Sequence, residues 1–171
     1  MSEADASPLR VHWRQLVPNQ VADVTILEYL HRLEQVATPY PWSLRNYQDA
    51  LQNQQPIWLA MQKNAKNEFL LEANSIIGFF VMLPVLDELE LLNIVVSQPY
   101  QGQGWGRVLL HKLQSEAEML GGQRILLEVR ASNTPALRLY QGNGFVIDGR
   151  RRGYYPCQGG REDALLLSRL L

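Results

Sequence analysis

Cysteine is almost absent from this chain of 171 residues, because Cys157 is the only one. A single cysteine cannot form an intramolecular disulfide or a Cys-x-x-Cys metal or redox site, and it fits a reducing compartment. Histidine is also scarce, and His12, His31 and His111 lack the paired spacing of metal ligands. We therefore expect no metal in this protein.

Long apolar runs are missing as well. The longest, from Ile76 to Leu86, contains Gly78 and Pro84 and is far shorter than the ~20 residues that span a bilayer. The opening sequence, MSEADASPLR, is acidic and lacks the apolar segment of a secretory signal. The sequence therefore predicts a cytoplasmic protein with no membrane partner.

Charge is modest, since charged residues make up 19% of the chain and the net charge is −1. This balance argues against both a disordered acidic tail and a direct nucleic-acid binder. The signs are unevenly distributed. Six basic and eleven acidic residues occur up to Tyr100, whereas ten basic and six acidic residues follow from Gln101 onward. We therefore expect an anionic ligand to bind through the second half of the chain.

The pattern of apolar residues predicts a single domain, residues 1–171, built from strands and helices. A strand, a long amphipathic helix and another strand between Glu88 and Val129 are typical of a parallel βαβ unit. The expected strands are Leu9–Leu16, Pro56–Met61, Ser75–Leu83, Glu88–Val96, Ile125–Val129, Phe145–Tyr154 and Asp163–Leu171, with residues 62–74 and 155–162 as long hairpin loops. The expected helices run from Asn19 to about Val36, from a Ser43 cap, from Gly104 to Leu120 and from an Asn133 cap.

Three glycines, Gly102, Gly104 and Gly106, stand between an expected strand and an expected helix. Such a turn exposes unpaired N–H groups at the positive end of the helix dipole, which suits phosphate, although a flexible turn is the simpler interpretation. A P-loop is excluded because no lysine follows these glycines. A dinucleotide fingerprint would need glycine at Arg107. Glu128 lies about where such a fold places the acidic residue that binds the ribose. However, too few residues follow Glu128 to form the rest of a doubly wound sheet, which argues against dinucleotide binding.

Gln101, Gly104 and Gly106 match the pattern Gln-x-x-Gly-x-Gly, and here the sequence resembles the GNAT superfamily of acetyl-CoA-dependent N-acetyltransferases. The segments LLNIVV, LEVRASN, RLYQGNGF, RRGYYP and GREDAL, with YPWS nearer the start, are similar to its RimI type, the ribosomal-protein alanine N-acetyltransferases. The resemblance implies a mixed α/β (α+β) fold. Its central, splayed sheet would be mostly antiparallel, with one parallel βαβ unit and helices on both faces.

The resemblance assigns two catalytic residues. Acetyl transfer to an amine needs a base, because an α-amino group with a pKa near 8 is only about one-tenth neutral at pH 7. The resemblance implies that Glu128 is this base and that Tyr140 is the acid that protonates the departing thiolate. Two alternatives stay open: Glu128 pairs with a neighbouring arginine, and Tyr140 is an ordinary core aromatic.

Coenzyme contacts follow from the same resemblance. The main chain of one strand would hold the pantetheine arm like an added strand, and the glycine loop would wrap the pyrophosphate. Asn133 is expected to cap a helix and to contact acetyl-CoA. The expected coenzyme residues are Ile94, Val95, Val96, Gln101, Gly102, Gln103, Gly104, Trp105, Gly106, Arg107 and Asn133.

The acceptor would meet aromatic residues in loops, namely Tyr40, Trp42, Tyr154 and Tyr155, whose hydroxyls suit a peptide backbone. The acidic first half favours a basic protein tail. We expect acetyl transfer to a protein N-terminal amine, with the N-terminal alanine of a small-subunit ribosomal protein as the implied acceptor. Other protein N-termini, lysine or a small amine are alternatives, and a non-catalytic acyl-CoA sensor is another.

Overall fold

The strands and helices fall close to where the sequence places them. A computed structural model of the protein describes residues 11–16, 22–62 and 75–171. The expected starts of the first strand and first helix, and most of the loop expected at residues 62–74, lie outside the described residues. In chain order the elements are β1 (His12–Leu16), α1 (Ala22–Ala37), α2 (Leu44–Gln52), β2 (Ile57–Met61), β3 (Ile76–Val85), β4 (Glu88–Val96), α3 (Trp105–Met119), β5 (Arg124–Arg130), α4 (Thr134–Gln141), β6 (Val146–Cys157) and β7 (Gly160–Leu170).

Two helices begin at the side-chain caps that the sequence predicts. At α2, the Ser43 hydroxyl accepts a hydrogen bond from the Asn46 N–H, and the Asn46 side chain accepts one from the Ser43 N–H. At α4, the Asn133 side-chain oxygen accepts from the Ala136 N–H at 3.2 Å. Each cap satisfies N–H groups that the first helical turn leaves unpaired.

The seven strands form one sheet in the order β1-β2-β3-β4-β5-β7-β6. Only β4 and β5 run parallel, because α3 carries the chain back between them, and all other neighbours are antiparallel. The mixed, mostly antiparallel sheet with one βαβ unit is confirmed.

Helices cover both faces of the sheet. Phe79 packs in one apolar cluster with α1 and α2, and its neighbour Phe80 packs in a second cluster with α3 and α4. Successive strand residues point to opposite faces, so a continuous apolar strand such as β3 serves both clusters. Within the described ranges, none of the helices has the length and apolar character needed to cross a membrane.

A bulge in β4 changes which of its side chains face which helices. Val81 of β3 lies opposite Asn93, but the next residue, Met82, lies opposite Leu91, so Leu92 is an extra residue. Leu91 therefore packs with the α3 cluster, whereas Val95 packs with the α1–α2 cluster. The same change turns Asn93 toward α1 and α2.

The parallel strands separate after a short paired stretch. Glu88–Leu91 of β4 pairs with Arg124–Leu127 of β5, and the pairing ends there although both strands continue, to Val96 and to Arg130. This divergence is the splay that the resemblance implies. Between the two separated strand ends lies the cleft described below.

The prediction of a long loop at residues 155–162 is wrong, because these residues form the paired end of the β6–β7 hairpin. Tyr155 lies opposite Glu162, and Cys157 lies opposite Gly160. Pro156 looks like a loop residue in the sequence, but β6 is the edge strand, where a proline removes no ladder hydrogen bond. Gly159 has a φ of +88°, and this left-handed conformation makes the short turn possible.

Candidate active site

A cleft of about 1160 Å³ occupies the space between the separated ends of β4 and β5. Its walls come from the connection between α1 and α2, from β4, from the glycine loop, and from β5, α4 and β6. Two acidic and two basic side chains line it: Glu34, Glu128, Arg107 and Arg130. The cleft thus joins sequence-distant segments that each carry residues predicted to be functional.

The glycine loop, residues 101–106, opens into this cleft just before α3. Gly102 and Gly104 have φ values of +74° and +86°, and a Cβ added to either would meet no atom of the described residues within 4 Å. Gly104 is the N-cap of α3, and among the described side chains none caps this end of the helix. The open space and the positive end of the helix dipole fit a phosphate group.

Gly106 has a separate structural reason to be glycine. A Cβ at this position would lie 2.9 Å from the Leu139 side chain of α4, which is closer than real Cβ contacts. Trp105 beside it packs edge-on against Tyr100, with ring centroids 6.4 Å apart. Tyr100 and Trp105 therefore pack together beside the glycine loop.

The two glutamines of the loop differ in their positions. The Gln101 side-chain amide donates to the carbonyls of Ala37 and Val96, so it joins the loop to the ends of α1 and β4. The Gln103 amide donates to the Pro99 carbonyl, and Gln103 is the one predicted coenzyme residue that does not line the cleft. All the others line it: Ile94, Val95, Val96, Gln101, Gly102, Gly104, Trp105, Gly106, Arg107 and Asn133.

Glu128 lies on the part of β5 that has separated from β4, and its half-buried side chain lines the cleft. One carboxylate oxygen lies 3.0 Å from the Arg151 Nη2 atom of β6. Glu128 therefore does pair with an arginine, Arg151, as the alternative interpretation expects. A carboxylate in an ion pair with a partly exposed arginine still has a second oxygen that can accept a proton.

Tyr140 lines the same cleft from α4 and is almost completely buried. Its ring packs on Phe145, with the centroids 5.7 Å apart, so it is also a core aromatic. Burial raises the pKa of its hydroxyl above the ordinary value of 10.0, and the nearby Tyr155 raises this pKa further. Tyr140 is therefore protonated at neutral pH and able to donate a hydrogen bond.

Three of the four aromatic residues predicted for the acceptor line the cleft: Tyr40, Trp42 and Tyr155. Tyr154 does not, because its ring packs against Tyr155 and lies beneath Arg151. Burial and the Glu128 carboxylate raise the Tyr155 pKa. The cleft therefore brings together the predicted base, the predicted acid and most of the predicted acceptor aromatics.

Sequence reasoning missed a buried carboxylate in the cleft wall. Glu34 of α1 is 3% exposed and accepts hydrogen bonds from the Trp42 N–H at 2.9 Å, from the Asn93 amide at 3.0 Å and from the Tyr47 hydroxyl. Burial, and next the Glu34 charge, raise the Tyr47 pKa well above its ordinary range, so this hydroxyl remains a donor. Nothing local in the sequence separates Glu34 from an ordinary solvent-facing glutamate.

Sequence reasoning also missed the contacts of Arg130, the last residue of β5. Its guanidinium lies against the rings of Tyr40 and Tyr155, at 3.6 Å and 4.5 Å from their centroids. From the sequence, an arginine near Glu128 is expected only as an ion-pair partner. The motif LEVRASN contained the relevant signal, because it puts a large planar cation two residues after the predicted base.

Comparison with known proteins shows the family of this chain. Residues 27–145 match the family described as Acetyltransferase (GNAT) family. The chain is 38% identical over 146 residues to the [ribosomal protein bS18]-alanine N-acetyltransferase of Escherichia coli K12, covering 85% of this chain and 92% of that protein. The enzyme of the same name from Haemophilus influenzae is 39% identical over 142 residues, covering 82% and 90%.

A solved structure gives the same result at the level of the fold. The crystal structure of the ribosomal-protein-S18-alanine N-acetyltransferase from Escherichia coli superposes with a TM-score of 0.75 at 33% identity. The superposition covers 93% of this chain and 94% of that one. On sequence, fold and cleft together, the chain belongs to the GNAT acetyltransferase family.

Proposed function

We propose that this protein transfers the acetyl group of acetyl-CoA to the N-terminal alanine of ribosomal protein bS18. The observation that carries the proposal is the cleft between β4 and β5, which Glu128 and Tyr140 both line. The relatives named for this reaction match more than four-fifths of the chain. A merely acyl-CoA-sensing protein would need neither a base nor an acid beside the thioester.

The coenzyme binds along β4 and the glycine loop. Beyond Leu91, the β4 edge that faces β5 has no strand partner within the described sheet, so its backbone groups are available to an extended pantetheine arm. The open space at Gly102 and Gly104 supports pyrophosphate binding beside the N-terminus of α3. Asn133, which caps α4 and lines the same cleft, contacts the bound acetyl-CoA.

The reaction proceeds by direct attack of the amine on the thioester carbonyl. Glu128 takes the proton that the α-ammonium group must lose, the new C–N bond forms, and the C–S bond breaks. The pKa of Tyr140 lies above that of a thiol, so its hydroxyl stabilises the leaving sulfur mainly by donating a hydrogen bond. After Glu128 has taken the first proton, the neutral amine still has two N–H hydrogens, and the amide product keeps one of them. The proton released as the amide forms balances the proton that the leaving thiolate takes up.

The acceptor peptide enters on the side of Tyr40, Trp42 and Tyr155, which line the cleft together with the carboxylates Glu34 and Glu128. The Glu128 carboxylate, which faces the cleft, can attract the cationic N-terminus of the peptide. We also propose that the protein acts in the cytoplasm, where acetyl-CoA and ribosomal proteins occur together and where its single cysteine remains reduced.

The proposal is tested by incubating the protein with acetyl-CoA and peptides, followed by mass spectrometry. One peptide carries the N-terminal alanine sequence of bS18, a second has the same sequence with a blocked N-terminus, and a third begins with another residue and contains lysines. We expect acetylation of the first peptide, at its α-amine. Modification of the blocked peptide would identify a lysine acetyltransferase, and no acetylation of any peptide would contradict the proposal.

A further inference from the structure

Arg130 lies between two aromatic rings that come from different parts of the chain. Its guanidinium carbon is 3.6 Å from the ring centroid of Tyr40 and 4.5 Å from that of Tyr155. A planar guanidinium stacks well on aromatic faces, and such contacts are stronger when they are partly removed from water. The Arg130 side chain is only 15% exposed.

The edge of the guanidinium is also held in place. Its Nη1 atom donates to the Glu162 carboxylate at 2.8 Å and to the Pro156 carbonyl at 2.9 Å. The other Glu162 oxygen accepts from the Ser132 N–H at 3.2 Å. Hydrogen bonds from Ser132 and Arg130 lower the Glu162 pKa, so the carboxylate stays charged at neutral pH and balances the guanidinium.

The two rings come from separate segments of the cleft wall. Tyr40 lies in the connection between α1 and α2, which pack on one face of the sheet, and Tyr155 lies on the edge strand β6. Both rings and Arg130 line the cleft. Arg130 therefore joins two segments that carry the aromatic residues proposed to meet the acceptor.

We propose that Arg130 is a positioning residue for the acceptor: it holds the rings of Tyr40 and Tyr155 in the orientation that receives the peptide. This inference rests on the proposed function. Because Arg130 acts through the two rings, its loss affects binding of the peptide and leaves the chemistry at the thioester intact. Its charge is already balanced by Glu162, so its function depends on its planar shape rather than on its charge.

The decisive variant is Arg130→Lys, which keeps the charge and loses the planar group. We expect the KM for the alanine peptide to rise about 5- to 30-fold, which corresponds to the range of such stacking contacts. The KM for acetyl-CoA and kcat at saturating peptide should change less than twofold. The matched control is Arg124→Lys, at the opposite end of the same strand, where the arginine pairs with Asp148 at 2.7 Å.

Tyr40 provides a second variant that does not depend on the folding of an altered β5. Tyr40→Phe keeps the ring on Arg130 and should therefore raise the peptide KM less than a change that removes the ring. Tyr40→Leu removes the ring and should match Arg130→Lys. Combining Tyr40→Leu with Arg130→Lys should raise the peptide KM little further, because both changes break the same contact.

Several results would overturn this inference. If Arg130→Lys leaves the peptide KM unchanged in an otherwise active enzyme, Arg130 does not position the acceptor, and the proposed function still stands. Equal increases in both KM values, or a fall in kcat alone, would point to a general structural role. If the wild-type protein acetylates no peptide, both the inference and the proposed function are wrong.

Discussion

Arg151 on β6 forms an ion pair with Glu128 on β5, with the Nη2 and Oε1 atoms 3.0 Å apart. The Arg151 side chain is about half exposed, and ion pairs of this kind contribute at most about 1 kcal/mol to stability. The contact orients the Glu128 carboxylate in the cleft. A structural role and a catalytic role for Glu128 therefore make different predictions.

Glu128→Gln should lower kcat by roughly 100- to 10,000-fold, because an amide cannot take the ammonium proton. The affinity for acetyl-CoA should be nearly unchanged, since Glu128 is proposed to act on the amine. Steady-state kinetics and a separate titration with acetyl-CoA measure the two quantities.

Two control variants separate the base from the ion pair. Arg151→Ala breaks the same contact and should reduce kcat far less than Glu128→Gln. Glu88→Gln removes a carboxylate that pairs with Arg124, at the end of the sheet where β4 and β5 are still paired, and should leave kcat unchanged. Equal losses for Arg151→Ala and Glu128→Gln would mean that the ion pair, and not a base, is what the reaction requires.

Tyr140→Phe should lower kcat roughly 100-fold, because the leaving sulfur loses its hydrogen-bond donor. The change keeps the ring on Phe145, so the thermal unfolding temperature should move by only a few degrees. Tyr154→Phe, outside the cleft, is the control. Normal turnover of Tyr140→Phe would leave Tyr140 with a packing role alone.

Gly104→Ala should weaken acetyl-CoA binding roughly 10-fold or more, because an alanine that avoids the left-handed region moves the N–H groups meant for phosphate. Gly121→Ala is the matched control. Its φ of +78° and the open space around it impose the same backbone strain at the far end of α3. Both variants should lose about 1–2 kcal/mol of stability. Equal coenzyme affinities in the two variants would contradict a phosphate role for the loop.

The parts of the fold that could be predicted from the sequence are those that local chemistry determines. The Ser43 and Asn133 caps depend on bonds to residues three positions ahead, and both form as predicted. The splayed sheet was inferred from resemblance alone. No local pattern in β4 or β5 indicates that their pairing ends at Leu91 and Leu127.

The missed site residues depend on contacts between distant segments. Asn93 meets Glu34 because the bulge at Leu92 changes the face to which Asn93 points, and a simple alternation of strand residues would place it elsewhere. Arg130 meets Tyr40 across 90 positions of the chain. The sequence predicts the hairpin of β6 and β7 but misses the pairing of residues 155–162, because Pro156 and two glycines are typical of loops, unless the strand lies at an edge.

Asn93→Leu should reduce the free energy of unfolding by about 1–3 kcal/mol, because the buried Glu34 carboxylate loses one of its donors while the number of side-chain heavy atoms is kept. Urea unfolding followed by circular dichroism measures this. Asn53→Leu, at the exposed end of α2, is the control and should change the free energy by less than about 0.5 kcal/mol. If the two variants are equally stable, the Glu34 network does not stabilise the fold.

Alkaline pH should destabilise the protein partly through Tyr140. Burial raises the pKa of this hydroxyl in the folded state above its unfolded value of 10.0. The stability that its neutral form contributes is therefore complete below about pH 10 and is lost as the pH rises toward the folded-state pKa. Tyr140→Phe removes this dependence. Above pH 10 the free energy of unfolding of the variant should therefore fall less steeply than that of the wild type, and the two slopes should differ by up to about 1.4 kcal/mol per pH unit. Urea unfolding between pH 8 and pH 11 measures the two slopes. Parallel curves for Tyr140→Phe and the wild type would mean that the Tyr140 hydroxyl ionises as readily in the folded protein as in the unfolded chain.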